Sequence, residues 1–230
     1  MATSRRLALL VAAVTGAATV SACGNVVSGS AIAQIGGAPH HTTAALSSML
    51  PDPAAFPKPY TAVVLPAHEA AQAAQDLSGV ADGAKVDPAG CKPPQQNRTA
   101  DATAIAVGTD DATRSTISVE LLRVGAALSD LRTQIEQCLE LTATQNGVTA
   151  TVHTEMLPPP PIDADDTMAV QRTVASGAGK TQLKQSMRSL IGQVDDVRIS
   201  VTYMSFGDGP PDTQTLDRMF TDIVAKVHAG

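Results

Sequence analysis

The chain has 230 residues, of which 22 are acidic and 16 basic, and its formal net charge is −6 at pH 7. This acidic balance argues against nucleic-acid binding and against a polybasic membrane-binding patch. Two tyrosines, three phenylalanines and no tryptophan provide little aromatic surface for a site that stacks sugars or bases. The length suits one domain with a terminal extension.

The N-terminus has the three-part layout of a secretory signal. Arg5 and Arg6 precede an uncharged run of 14 residues, Leu7 to Val20, and small residues lead to Cys23. A membrane-spanning helix needs about 20 apolar residues, so a permanent transmembrane helix is the weaker interpretation. "VSAC", which ends at Cys23, resembles a bacterial lipobox. That motif implies that residues 1–22 are a cleaved lipoprotein signal peptide. The alternative is an ordinary secretory signal with a chance cysteine.

Lipidation of Cys23 would set the location of the protein. Two or three acyl chains on the new N-terminus anchor a protein firmly, whereas one chain binds only marginally. We therefore expect a lipid-anchored protein on the extracytoplasmic face of the cell membrane, with the membrane as its first partner. No nucleic-acid partner is expected.

Cys91 and Cys138 are the two cysteines that remain once Cys23 carries lipid. An even pair in an exported, oxidising setting predicts a disulfide. A redox-active or metal-binding pair is the alternative. The sequence has no CxxC motif, however, and neither cysteine has a nearby His or Cys at ligand spacing. We therefore predict a Cys91–Cys138 disulfide and no metal site.

The first part of the body is irregular. Residues 23–41 are small, polar and Gly-rich, which indicates a flexible tether between the anchor and the body. The two histidines that end this tether have no further ligands nearby. Residues 42–50 favour a short helix, a Pro-rich connector follows, and "YTAVVLP" suits a short strand. Helix propensity predicts a helix over Ala67–Leu77.

From residue 103 onward, alternation of apolar and polar residues predicts a series of strands. In "TISVELLRV", Ile117, Val119 and Leu121 share one face, and Ser118 and Glu120 lie opposite. Further strands are predicted in "ATAIAVG", "VTATVHTEM", "TMAVQRTV", "SMRSLIGQ" and "VRISVTYMSF", although "SMRSLIGQ" would also suit a helix. Half-polar strands imply a sheet with one covered face.

Two longer helices are predicted. One covers residues 129–147, with Ser129 as its N-cap, Cys138 on its buried stripe and Asn146-Gly147 as its stop signal. The other runs from the N-cap Asp212 to the basic residues near the C-terminus.

The order of these elements predicts the fold class. Strands in runs, separated by few helices, indicate an α+β domain rather than alternating βαβ units. We expect a single domain over residues 42–230, built as an antiparallel β-sheet with helices packed on one face and stapled by one disulfide.

Motifs for chemistry are weak. "ASGAGKTQ" ends like a phosphate-binding loop, but Val174 stands where that loop requires its first glycine, so a hairpin connection is predicted and no cofactor. His153 faces outward on a strand and His68 lies on an Ala-rich helix. No nucleophile motif is present, so no catalytic residue is assigned. Pairs of adjacent aspartates fall between predicted strands, where turns favour Asp: Asp110-Asp111, Asp165-Asp166 and Asp195-Asp196.

The lipobox, the tether, the Pro-rich entry "LPDPAAFP" and the cysteine that ends "LRTQIEQC" together resemble mycobacterial cell-envelope lipoproteins of unknown function. The body is similar to the extracellular sensor domain of the mycobacterial serine/threonine kinase PknH. The resemblance implies an antiparallel sheet with flanking helices and a ligand-binding cleft. This chain departs from that domain in having cysteines for one disulfide instead of two, and it carries no kinase domain. No ligand-contacting residue is carried over.

These observations favour a non-enzymatic ligand- or partner-binding accessory lipoprotein of the cell envelope. The alternatives are an extracytoplasmic hydrolase with a dispersed active site and a structural or assembly factor. A deep cleft with convergent polar groups would favour the first two, whereas a flat body would favour the third.

Overall fold

The computed structural model describes residues 41–95, 97, 99, 101–177, 182–206 and 209–230; within α2 the side chain of Gln75 is left out. The predicted signal peptide, Cys23, nearly all of the tether and the Gly-rich hairpin connection at residues 178–181 therefore lie outside the described residues. None of the helices in the described part of the chain is long and apolar enough to cross a membrane.

Four α-helices and nine β-strands are present among the described residues. The helices are α1 (Leu46–Met49), α2 (Ala67–Asp76), α3 (Leu128–Gln137) and α4 (Thr213–His228). The strands are β1 (Thr61–Val64), β2 (Lys85–Asp87), β3 (Thr103–Asp110), β4 (Ser115–Arg123), β5 (Glu140–Gln145), β6 (Val148–Leu157), β7 (Asp166–Ser176), β8 (Leu183–Val194) and β9 (Val197–Phe206).

All nine strands form one antiparallel sheet in the order β1-β3-β4-β9-β8-β7-β6-β5-β2. The run from β5 to β9 consists of consecutive neighbours, and β4 pairs with β9 to join this run to the N-terminal strands. The hairpin between β8 and β9 turns at Asp195, whose φ is 51°. The predicted α+β class with an antiparallel sheet is confirmed.

One face of the sheet packs against the C-terminal helix, and we call it the α4 face. On β4 this face carries Ile117, Val119 and Leu121, which share one buried cluster with Leu216 and Phe220 of α4. Residues opposite each other in neighbouring strands point to the same side, so the matching residues of β9 and β8 join them. The predicted cap is present, since the Asp212 carboxylate accepts a hydrogen bond from the Thr215 backbone N–H at 3.1 Å.

The opposite face, which we call the cavity face, is covered by α2 and α3. The α2 residues Ala70 and Ala74 pack on Ile105 of β3. The α3 residues Leu128 and Ile135 pack on the β7 and β8 side chains that point to this side. The expectation of helices on only one face is therefore wrong. Both faces are covered because α2 and α3 each present an apolar stripe that needs a partner.

The predicted helix over residues 129–147 is also corrected. Helix α3 begins at Leu128, with Ala127 and not Ser129 at the N-cap, and it ends at Gln137. Beyond it, residues 140–145 form β5. The Asn146-Gly147 pair has positive φ at both residues, 50° and 77°, and turns the β5–β6 hairpin instead of stopping a helix.

Candidate ligand-binding cavity

A cavity of about 530 Å³ lies on the cavity face of the sheet. Its floor consists of side chains from β4, β9, β8, β7, β6 and β5, and its roof consists of α3, the end of α2 and the segment that follows Cys91. Ligand sites in proteins fall in the range of roughly 300–1,000 Å³. The cavity is therefore large enough for a small molecule.

The predicted disulfide forms part of the cavity wall. Cys91 and Cys138 are bonded, with their Cα atoms 5.5 Å apart, and both residues line the cavity. Cys138 is the C-cap of α3, so the bond ties the end of this helix to the irregular segment that carries Cys91. A hydrogen bond from the Gln134 side chain to the Lys92 carbonyl, 3.0 Å long, joins the same two parts.

One part of the lining is apolar. Leu131 and Ile135 of α3 face it from the roof, and Leu141, Val152 and Ile191 contribute from β5, β6 and β8. These side chains offer a surface that would bury the apolar part of a ligand.

Hydroxyl groups form the centre of the floor. Ser189 and Thr202 are directly opposed on β8 and β9, and their hydroxyl oxygens are 2.8 Å apart. Ser200 lies next along β9 on the same side and is directly opposed to Glu120 of β4. All four residues are buried.

Glu120 is the most unusual of these groups, since its side chain is only 4% exposed. One carboxyl oxygen, Oε1, has no hydrogen-bond partner. Burial raises the pKa of Glu120 to about 8, although a hydrogen bond with Ser200 and the charge of Arg198 oppose this rise. The carboxyl group is therefore mostly protonated at neutral pH.

Arg198 lies beside Glu120 with its charge partly compensated. Its Nη2 donates to the Ala126 carbonyl at 3.0 Å and to Gln193 Oε1 at 3.3 Å, whereas its Nε is buried without a partner. Burial lowers the pKa of this guanidinium, and the acidic groups Glu120 and Asp130 act in the opposite direction.

Arg172 of β7 stands at a different part of the floor. Its side chain is half-buried and lines the cavity, and within the described part of the chain it makes no hydrogen bond or ion pair. Burial lowers its pKa to about 10, so it stays protonated at neutral pH. The backbone at Gly79 passes close by. A Cβ there would lie 3.1 Å from Val174 Cγ2, and φ at this residue is +77°, so glycine is required.

The described histidines and the aspartate pairs named in the sequence lie outside the cavity lining. His68, His153 and His228 do not line the cavity, and His41 pairs with Asp196 through an Nδ1–Oδ2 contact of 2.5 Å. No cluster of three or more His, Cys, Asp or Glu side chains suited to a metal occurs among the described residues.

The paired aspartates have structural partners. Asp110 closes the β3–β4 turn by accepting from Thr113 Oγ1 at 2.6 Å, and Asp165 accepts from the Asp195 backbone N–H at 2.7 Å. Asp166 and Asp196 each form an ion pair with an arginine, Arg132 at 2.6 Å and Arg123 at 3.1 Å respectively.

Sequence reasoning missed the cavity residues, although a signal was present. Arg172 alternates along β7 with the same spacing as Met168, Val170 and Val174, so a charged residue interrupts a side that is otherwise apolar. Glu120 shares its side of β4 with the polar residue Ser118, so the strand pattern predicts that it lies on the uncovered face of the sheet. Reading charged residues in central strands as cavity candidates would have found both.

Comparisons with known proteins return no family model and no curated protein that matches this chain. One similar solved structure is an uncharacterized protein of Mycobacterium smegmatis, the Rv0999 ortholog, with 16% identity, 76% of this chain and 92% of that chain covered, and a TM-score of 0.43. Another is the extracellular domain of PknH from Mycobacterium tuberculosis, with 13% identity, 64% and 78% coverage and a TM-score of 0.43. The resemblance to the PknH extracellular domain that the sequence indicated is thus also found among solved structures.

Proposed function

We propose that this chain is a membrane-anchored extracytoplasmic lipoprotein whose body is a non-enzymatic domain that binds a small molecule in the cavity. The observation that carries the proposal is a cavity of about 530 Å³ whose lining includes polar atoms without partners, Glu120 Oε1 and Arg198 Nε. A buried polar atom that lacks a partner costs roughly 1–3 kcal/mol, and a bound ligand can remove that cost.

The chemistry of the cavity favours binding over hydrolysis. A hydroxyl nucleophile needs an adjacent base that accepts its proton. Ser200 lies beside Glu120, but burial raises the pKa of that carboxyl group to about 8, so only a minor fraction of it is ionised and able to accept a proton at neutral pH. None of the described histidines lines the cavity. A concave, partly polar site also disfavours a purely structural role.

The anchor is proposed on sequence grounds. "VSAC" follows an uncharged run of 14 residues that begins after Arg5 and Arg6, and this layout is typical of a lipoprotein signal. The Cys91–Cys138 disulfide fits an oxidising compartment outside the cytoplasm.

Filling the cavity tests the binding function. The full chain, purified from membranes in a mild detergent, is examined by native mass spectrometry for small-molecule adducts that survive purification. Leu131→Trp adds bulk to a side chain that lines the cavity, so we expect it to abolish the adduct. Leu139→Trp is the matched control, because Leu139 is 40% exposed and lies outside the lining. An equal adduct on both variants, or none on the wild type, would contradict the proposal.

Changing the lipobox cysteine tests the anchor. Cys23→Ala removes the sulfur that would carry the diacylglyceryl group, so we expect no incorporation of a radiolabelled lipid precursor and release of the protein from the membrane fraction. The wild-type chain and Cys91→Ala serve as labelled controls. Equal label on wild type and Cys23→Ala would sink the lipoprotein assignment.

A further inference from the structure

The charges that line the cavity are not equally compensated. Arg123 pairs with Asp196 at 3.1 Å, and Arg198 is near Glu120 and Asp130 and donates to two oxygen atoms. Arg172 alone among these three arginines has neither an acidic partner nor a hydrogen bond within the described residues. An arginine that lines a cavity without a partner can pair with an anion that enters the cavity.

Glu120 cannot serve as the partner of Arg172. In the sheet register, Glu120 is aligned with Ser200, Ile191 and Met168, so three strand spacings separate β4 from β7. Arg172 lies four residues further along β7 than Met168. At about 4.8 Å per strand and 3.3 Å per residue, the two Cα atoms are roughly 20 Å apart. Glu120 and Arg172 therefore lie in separate parts of the cavity.

On the side of Arg172 that lies away from Glu120, the lining is largely apolar. Val152 and Leu141 lie on the same side of the neighbouring strands β6 and β5, and Ile135 faces them from α3. A molecule whose polar group meets Arg172 would place the rest of its body against these side chains.

We infer that the cavity takes an amphiphile with an oxyanion headgroup, a carboxylate or a phosphate, and that the Arg172 guanidinium binds this headgroup. The planar fork of an arginine matches both oxyanions through two parallel hydrogen bonds. The apolar body of the ligand packs on Leu141, Val152 and Ile135. This assignment rests on the proposed binding function and names the ligand class for it.

The test compares three probes on the full chain by native mass spectrometry at pH 7: dodecanoate, dodecyl phosphate and the uncharged dodecanol. Hydrogen bonds to charged groups contribute about 1.5–3 kcal/mol, so we expect at least one anion to bind roughly tenfold or more tightly than the alcohol. The two anions distinguish a carboxylate ligand from a phosphate ligand, and binding of either supports the inference.

Arg172→Gln should remove the preference for the anions over dodecanol. Arg188→Gln is the matched control: Arg188 is directly opposed to Gln171, next to Arg172, so it lies on the α4 face and outside the cavity lining. Arg172→Lys keeps the positive charge without the planar guanidinium, so it should retain part of the preference for the anions. This second variant keeps the inference testable if Arg172→Gln fails to fold.

Three results would overturn the inference. Equal binding of dodecanol and the anions to the wild type would contradict the assignment of an oxyanion headgroup. It would not contradict the proposed binding function, because the adduct test on Leu131→Trp is independent. Equal loss of anion preference in Arg172→Gln and Arg188→Gln would show a general charge effect instead of a subsite. Binding of no probe would exclude this ligand class.

Discussion

The two faces of the sheet differ: the α4 face is a packed apolar core, whereas the cavity face is polar and incompletely filled. On the α4 face, Val119, Ile199 and Phe220 belong to a continuous apolar core, each no more than 1% exposed. On the cavity face, the alternate residues of the same strands are polar, for example Glu120 and Ser200, and the helices above them leave a cavity. The apolar core on the α4 face stabilises the strands. This stability offsets the free-energy cost of the unpaired polar groups on the cavity face.

The largest expected effect is on the α4 face. Phe220→Ala removes a side chain that is 1% exposed and packs next to Gly192 of β8, so it should lower the free energy of unfolding by about 3–5 kcal/mol. Phe206→Ala is the matched control, because Phe206 is 43% exposed, and its effect should stay under about 1 kcal/mol. Denaturant unfolding of the full chain measures both. Similar losses for the two variants would contradict the division between the faces.

The disulfide should matter next, and mainly to the cavity face. It links residues 47 positions apart, for which the chain-entropy model gives roughly 4 kcal/mol, and measured values are typically 2–4 kcal/mol. Reduction should speed hydrogen exchange first in residues 80–95 and at the end of α3, with α4 still protected. Cys91→Ser combined with Cys138→Ser should reproduce this pattern without reductant. Uniform loss of protection over both faces would show that the cavity wall is not a separate unit.

Over a single pH unit, the smallest expected effect is the pH dependence that Glu120 gives to the cavity face. Its pKa rises from 4.5 in the unfolded chain to about 8 in the folded protein. Between these values the folded state holds a proton that the unfolded state has lost. The resulting stability is fully present below pH 4.5 and is lost as pH rises through about 8, with a slope of up to about 1.4 kcal/mol per pH unit.

Glu120→Gln keeps the shape of the side chain and removes the titration, so its unfolding free energy should lack that slope and exceed that of the wild type near pH 8. Glu155→Gln, on an exposed position of β6, should leave the slope unchanged. Unfolding curves at several pH values between 5 and 8 measure the difference. An identical slope in wild type and Glu120→Gln would show that Glu120 is not the titrating group.

Much of the fold could be predicted from local patterns. The alternation in β4 and β9 fixes which residues share a side, and Asp212 followed by a regular apolar stripe predicts α4, because both signals act between residues close in the chain. The disulfide could be predicted because only two cysteines remain after Cys23. The resemblance to the PknH extracellular domain likewise followed from the order of the elements.

Only the tertiary structure decided the identity of β5 and the existence of the cavity. The spacing of Leu131, Ile135 and Leu139 is compatible with a helix that continues through residue 139 and beyond. The chain forms strand β5 there instead, because β5 pairs with β6 and β2. Glu120 is polar and follows strand alternation, so local pattern placed it on an open side. It is buried because α3 and the Cys91 segment, distant in sequence, fold over that side. Local sequence determines which side of a strand a residue faces, whereas long-range packing determines what covers that side.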